Sequence, residues 1–388
     1  MDPGNEAGFG LYVHWPFCQS KCPYCDFNSH VAERIDQKRW LQAYLAEIDR
    51  LGRDTSGHRL RSVFFGGGTP SLMDPDTVFA ILDRVRTTWA VANDWEVTLE
   101  ANPGSVEAGK FRAFRAAGVN RLSMGVQALN DADLKRLGRL HTAADAIAAF
   151  DIARACFDRV SFDLIYARQD QTPEDWTQEL TRALDMAIDH LSLYQLTIED
   201  GTAFGDRHAR GGLKGLPDED RSVTLYEITQ DLCSSAGLHA YEISNHSRAG
   251  AQSEHNLIYW RGGDYAGVGP GAHGRLTLAG QRWATEALKQ PSGWLEAVEK
   301  RGTGELPRDE ITSSARAQEY VLMSMRLAEG LDMARLEAIS GYALTSAAIA
   351  ELSALNLIVS GSGRVKATAQ GRMVLNSVIR RLTEDLPS

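Results

Sequence analysis

Three cysteines in Cys18-Gln-Ser-Lys-Cys22-Pro-Tyr-Cys25 carry the strongest chemical signal in the chain. Pro16 and Pro23 keep this stretch from becoming a helix, because an interior proline removes a hydrogen bond and clashes with the preceding turn. The sulfurs are therefore presented by a short loop wrapped round something small. Thiolates suit zinc and iron–sulfur clusters. A structural zinc site is normally closed by four ligands, often as two separated pairs. No second cysteine pair exists here, although His14 or His30 offers a fourth ligand. The other solution is a cubane cluster held by three thiolates, which leaves one iron open to bind something. Four-cysteine ferredoxin clusters, by contrast, mainly transfer electrons.

The remaining cysteines, Cys156 and Cys233, are isolated and read as small buried hydrophobes. An odd, clustered count without a secretory signal does not make a disulfide framework. Met1-Asp-Pro-Gly-Asn-Glu6 has no basic or apolar region of a signal peptide, and no apolar run reaches membrane-span length. The reading is cytoplasmic, with membrane contact only through a partner. Net charge is −10, which argues against nucleic-acid binding.

The loop needs elements to hold it. Apolar runs at Leu11–Trp15, Ser62–Phe65, Trp95–Glu100, Arg121–Val126, Val160–Ile165 and Leu191–Leu196 predict six strands. Helical spacing between them predicts helices, among them one through Trp40, Tyr44, Ile48 and Leu51. Regular βα alternation implies a parallel sheet with right-handed crossovers. Six units fall short of a closed eight-unit barrel, so the fold class is α/β with a partial (β/α)6 barrel over residues 1–237. Ligands bind at the carboxyl ends of such strands, and those ends carry the cysteine loop, Gly66-Gly-Gly-Thr69, Glu100, Gln127 and Asp163. Residues 238–313 are glycine- and aromatic-rich and are expected as irregular cover over the barrel mouth. Residues 314–388 predict three helices, a hairpin turning at Gly361-Ser-Gly363 and a last helix, a winged-helix-like α+β domain. Its balanced charge favours packing or partner docking over DNA reading.

At this point a resemblance is clear. Cys18-x3-Cys22-x2-Cys25 with Tyr24 before the last cysteine resembles the signature of radical S-adenosylmethionine (SAM) proteins. Tyr12-Val-His-Trp-Pro-Phe-Cys18, Phe65-Gly-Gly-Gly-Thr-Pro70, Glu100-Ala-Asn-Pro103, Ser123-Met-Gly-Val-Gln127, Leu137-Gly-Arg139-Leu-His141 and Asp163-Leu-Ile-Tyr166 follow in the expected order. They are similar to the branch holding oxygen-independent coproporphyrinogen III dehydrogenases and the HemW-type haem chaperones. The resemblance implies a [4Fe-4S] cluster on Cys18, Cys22 and Cys25. It implies SAM contacts by Tyr12, Tyr24, Gly67, Gly68, Thr69 and Glu100, and second-SAM contacts by Gln127, Arg139 and Asp163. A one-electron reductant such as a flavodoxin would be a partner, and a homodimer is compatible with it.

Three features separate the two activities. Phe27 stands where the dehydrogenase loop has a further cysteine, and only eleven residues precede Tyr12, against a longer substrate-enclosing segment in the dehydrogenase. Third, His255-Asn256-Leu-Ile-Tyr259-Trp260 matches the haem-binding motif of the chaperones. The implied function is a chaperone that binds cluster, SAM and haem and passes haem to acceptor haem proteins, respiratory enzymes among them. The alternative is oxidative decarboxylation in porphyrin biosynthesis, or another radical SAM reaction. Where the family usually has Gly-Leu-Pro-Gly-Gln after Asp163-Leu-Ile-Tyr166, this chain has Ala167-Arg-Gln-Asp-Gln171. That departure bears on loop flexibility, and so on the second-SAM contacts and turnover.

Overall fold

Alternation within the first strand sets the architecture. In β1 (Phe9–Trp15), Phe9, Leu11, Val13 and Trp15 are fully buried in the main core, while Tyr12 and His14 alternate with them and line a cavity. β2 (Arg59–Gly67), β3 (Ala90–Ala101), β4 (Arg121–Gln127), β5 (Arg159–Tyr166) and β6 (His190–Gln195) follow in chain order, each parallel to the last. This computed structural model describes residues 7–105 and 108–387, so Met1–Glu6, read above for a leader, lies outside it.

The linking helices begin where the sequence signals them. Thr142 and Thr172 each form a capping box with Asp145 and Asp175, and Pro75 and Pro173 occupy first helical positions. The helix Gln37–Asp54 buries Trp40, Tyr44, Ile48 and Leu51. Trp40 meets Trp15, Phe17 and Trp294, stacking on Trp294 with centroids 5.5 Å apart. Tyr44 Oη donates to the His14 carbonyl at 2.6 Å. This aromatic cluster anchors the end of β1, from which the cysteine loop departs. Among the described residues no helix is long and apolar enough to cross a membrane.

The six predicted parallel strands are present, within a sheet of twelve. The stretch expected as irregular cover supplies the other six: β7 (His239–Ala240), β8 (Asn245–Ser247), β9 (Asp264–Val268), β10 (His273–Leu278), β11 (Gln281–Glu286) and β12 (Asp309–Ile311). The order is β12-β11-β10-β9-β1-β2-β3-β4-β5-β6-β8-β7. β9 adds to β1 in parallel, and β10 to β12 continue antiparallel. Glycines interrupt the apolar alternation that would have announced these strands. They are needed for close approach: a Cβ on Gly267 would lie 2.2 Å from the His273 carbonyl oxygen.

The C-terminal part follows its prediction. Helices Ser313–Ser324, Met333–Ser340 and Ser346–Ala354 precede the hairpin Ile358–Gly361/Arg364–Ala367, and the last helix is Leu375–Thr383. Ser362 and Gly363, both at positive φ, make the two-residue turn, and Leu331–Asp332 adds a third strand. This part has its own core, including Val321, Leu336, Val365 and Val378. It docks on the barrel through Arg261, whose guanidinium meets both Glu329 carboxylate oxygens at 2.8 Å, and through Arg275–Glu319 at 3.0 Å.

Candidate functional site

The cysteine loop leaves β1 at Pro16 and is closed by pairing of Phe17–Cys18 with His30–Val31 and by a turn from Cys25 N to the Cys22 carbonyl. Cys18, Cys22 and Cys25 line one cavity of about 120 Å3, together with Tyr24, Gly67, Gly68, Thr69, Glu100, Gln127, Arg139 and Asp163. A Cβ on Gly68 would lie 2.6 Å from the Phe17 carbonyl oxygen, so only glycine lets the β2 end pass this close to the loop.

Each thiol has a polar neighbour. Thr69 Oγ1 is 3.5 Å from Cys18 Sγ, Ser29 Oγ 3.7 Å from Cys25 Sγ, and Arg139 Nη1 3.4 Å from Cys22 Sγ. Asn102 closes a circuit between two of them, donating to Thr69 Oγ1 at 3.0 Å and accepting from Arg139 Nη2 at 2.7 Å. Sequence reasoning missed Asn102 and Ser29; for Asn102 the available signal was its place in Glu100-Ala-Asn-Pro103. Burial pushes the Cys18 and Cys25 thiols above the ordinary value, so forming their thiolates calls for added positive charge.

The same cavity wall carries two half-buried carboxyls, Glu100 and Asp163. Burial, reinforced by Asp163, raises Glu100 to about 8, and burial raises Asp163 to about 6. Glu100 Oε2 accepts from Gly67 N at 3.2 Å. Gln127 holds its position with φ at +74° where β4 breaks register, a strained backbone of the kind found at ligand sites. Arg139 Nε is buried with no hydrogen-bond partner among the described residues. The wall thus offers carboxylates to a cation and an unused N–H to an anion.

Tyr12, expected beside these groups, instead lines a second cavity of about 710 Å3, with its hydroxyl 3.0 Å from His14 Nδ1. His14 Nε2 donates to the Asn28 carbonyl at 2.9 Å, and Asn28 Nδ2 reaches the carbonyls of Pro270 and Lys289. His255, Asn256 and Tyr259 also line this second cavity. They lie on a helix, Glu254–Trp260, rather than the expected loop. Helical geometry turns Trp260 away from the cavity, against Tyr241, Leu257 and Leu327. His255 is 1% exposed, between Ser62 Oγ at 2.7 Å and Tyr259 Oη at 2.5 Å, and burial lowers its pKa to about 3.

The profile of the Radical SAM superfamily matches residues 12–183. The mouse "Radical S-adenosyl methionine domain-containing protein 1, mitochondrial" is 37% identical over 387 residues, 97% of this chain and 87% of that protein. The Escherichia coli "Heme chaperone HemW" is 36% identical over 374 residues, 95% of this chain and 96% of that one. This chain belongs to the radical SAM family. The structure of coproporphyrinogen III oxidase (HemN) from Escherichia coli shares the fold, with a TM-score of 0.81 at 22% identity over 98% of this chain and 91% of that one.

Membership in the radical SAM family implies SAM and a [4Fe-4S] cluster, and the donor set fits them. Among the described residues no group of three His, Cys, Asp or Glu side chains is placed to hold a single metal ion. His14 commits both ring nitrogens to Tyr12 and Asn28, and His30 turns Nε2 to Asn28 Oδ1 at 3.0 Å. Three thiols round one cavity suit a group larger than one ion.

The departure from the radical SAM pattern at Ala167–Gln171 keeps the backbone that glycine would have served. Ala167 and Asp170 both have positive φ, at +57° and +59°. Arg168, buried, holds the loop through Asp133 at 2.8 Å, Glu179 and the Ile165 carbonyl. None of these five residues lines the cysteine cavity. Left-handed backbone costs alanine about 1–2 kcal/mol, and glycine gives back about 0.5–1 kcal/mol in unfolded-chain freedom. The Ala167 methyl is also buried in the main core and contributes about 0.8 kcal/mol, so Ala167→Gly is expected to change stability by less than about 1 kcal/mol in denaturant unfolding; a loss above about 2 kcal/mol would contradict this.

Proposed function

We propose that this protein is a radical-SAM-type haem chaperone. It holds a [4Fe-4S] cluster on Cys18, Cys22 and Cys25, SAM against the wall of the same cavity and one haem in the larger cavity, and passes that haem to an acceptor haem protein. The observation that carries the reading is the shared wall: Lys21 and Phe27 of the cysteine loop line both cavities. The larger one is walled by Tyr12, Phe64, Tyr259 and Tyr265 with histidines between them, which suits a flat aromatic macrocycle. Its volume lies within the range of about 300–1,000 Å3 usual for small-molecule sites. The likeness to the Escherichia coli haem chaperone over nearly the whole chain supports the same reading.

When bound and reduced by a one-electron donor, the cluster supplies the electron that cleaves SAM in this family. The chain's own residues bind and orient. Gly67 and Gly68 bring backbone close to the ligand, Glu100 and Asp163 receive its ammonium or sulfonium charge, and Arg139 Nε receives an anionic group.

The carboxyl pair makes SAM binding pH-dependent. Folded pKa values of about 8 and about 6 lie above the unfolded values of about 4.3 and about 3.9. The ligand-free fold therefore binds more protons than the unfolded chain, and the pair's contribution to stability falls as pH rises from about 4 to 8. A cationic ligand reverses this by favouring ionisation. SAM affinity is expected to rise from pH 6 to pH 8.5, with proton release on binding measured by calorimetry in buffers of different ionisation heat. Glu100→Gln should flatten the rise, and an unchanged slope would remove Glu100 from the site.

The function itself is tested by loading the full chain with haem and mixing it with an apo haem protein. One haem per chain, followed by its appearance on the acceptor, is the expected result. The alternative, porphyrinogen decarboxylation, is tested anaerobically with SAM, reductant and coproporphyrinogen III. Formation of protoporphyrinogen would overturn the chaperone reading.

A further inference from the structure

We propose that His273, rather than His255, is the residue of the larger cavity that ligates haem iron, with Lys21 and Lys289 receiving the haem propionates. The inference rests on the haem reading above and names the ligand within it.

Three histidines line the cavity: His14, His255 and His273. A metal needs an imidazole nitrogen with an available lone pair, and two of the three have none to give. His14 is spent on Tyr12 and Asn28, and His255 is clamped between Ser62 and Tyr259 with its ring stacked on Phe64 at 5.0 Å. For His255 to reach iron, it must break the Tyr259 bond and move a ring that sits almost wholly in protein.

His273 differs on each point. Its side chain is 55% exposed, and its one ion-pair contact among the described residues is Glu286 Oε1, 3.9 Å from Nε2. It opens β10, where pairing with Glu286 on β11 fixes its place on the cavity wall. At 3.9 Å the Glu286 carboxylate lies beyond hydrogen-bond reach, so it stands beside the imidazole without occupying its nitrogen. Lys289, 3.2 Å from Glu286, and Lys21 on the cysteine loop put two ammonium groups on the same cavity. Haem presents an iron and two carboxylates, and this wall offers one available imidazole and two cations.

The test is titration of ferric haem into the full chain and three variants, followed by absorption and electron paramagnetic resonance. His273→Ala should lose the histidine-ligated signature and weaken binding by about tenfold, or about 1.4 kcal/mol, and free imidazole should restore the signature. Because the side chain is half exposed, the fold should persist, as circular dichroism will check. His255→Gln, which retains a polar group toward Ser62 but offers no imidazole, should weaken binding yet keep the signature. Lys21→Ala/Lys289→Ala should lower affinity without changing the signature. A His273→Ala protein that keeps the ligated spectrum, or loss of that spectrum in His255→Gln alone, overturns this assignment and leaves the chaperone reading standing. A wild-type chain that takes up no haem overturns both.

Discussion

A Cys22→Ser chain is expected to emerge from anaerobic reconstitution with essentially no iron, where the unaltered protein takes up about four irons per chain. The loop offers three thiols and no spare: Phe27 occupies the place of a further cysteine and is 59% exposed. Neither remaining cysteine is placed to substitute. Cys233 is fully buried in the core with burial pushing its thiol up to about 12, and Cys156 packs against the same core. Serine is a poor ligand for soft iron, so two thiolates would be left to hold the cluster. The fold should survive, because Trp15, Phe17, Trp40 and Trp294 fix the base of the loop without help from the sulfurs. Iron analysis and visible absorption read the result, with circular dichroism as the control. Full iron in the serine variant, or zinc without iron in the parent, would sink the assignment. Asn102→Ala should be milder, keeping iron but shifting the cluster's potential, because it breaks the circuit between Thr69 and Arg139.

Glu96→Ala is expected to cost about 3–5 kcal/mol of stability, the usual penalty for stripping a buried charge of its partner. Glu96 sits inside the barrel on β3, with Oε2 2.8 Å from Arg159 and 3.9 Å from Arg121, itself buried. Oε1 faces Ser253 Oγ and His255 N, each at 3.3 Å. Burial by itself would raise the Glu96 pKa, but Arg121 and Arg159 outweigh it and hold the carboxyl below its ordinary range. Its contribution is therefore fully present above the unfolded glutamate value of about 4.3 and is lost as pH falls through the lower folded value. Removing the side chain leaves Arg121 buried without its counter-charge and frees the start of the Glu254–Trp260 helix. Haem affinity should fall together with stability, since that helix carries His255 and Tyr259 into the larger cavity. Urea unfolding and haem titration check both; a loss under about 1 kcal/mol would show that the network contributes little.

What the sequence determined by itself was local in origin. Spacing and prolines made the cysteine loop, apolar periodicity made the six βα units, and Gly361-Ser-Gly363 made the C-terminal hairpin. Each follows from backbone sterics and burial within about twenty residues, so each is legible without knowing what lies across the molecule. The family motifs also located most of the cysteine cavity, because strand ends of a parallel sheet come together at one rim.

The tertiary structure decided the rest. The strands of residues 238–313 were hidden because glycines needed for close crossing erased their alternation. Trp260 was expected with His255 because they are near in sequence, but helical geometry points it at another core. Glu96 and Ser62 meet His255 from 159 and 193 residues away, and Asn28 meets Lys289 from 261. Such pairings are set by sheet register, which no local pattern encodes. Register also sets His273 opposite Glu286 on the wall of the larger cavity, a place that nothing in its sequence neighbourhood announced, whereas His255 stood out by its motif and is enclosed by Ser62 and Tyr259.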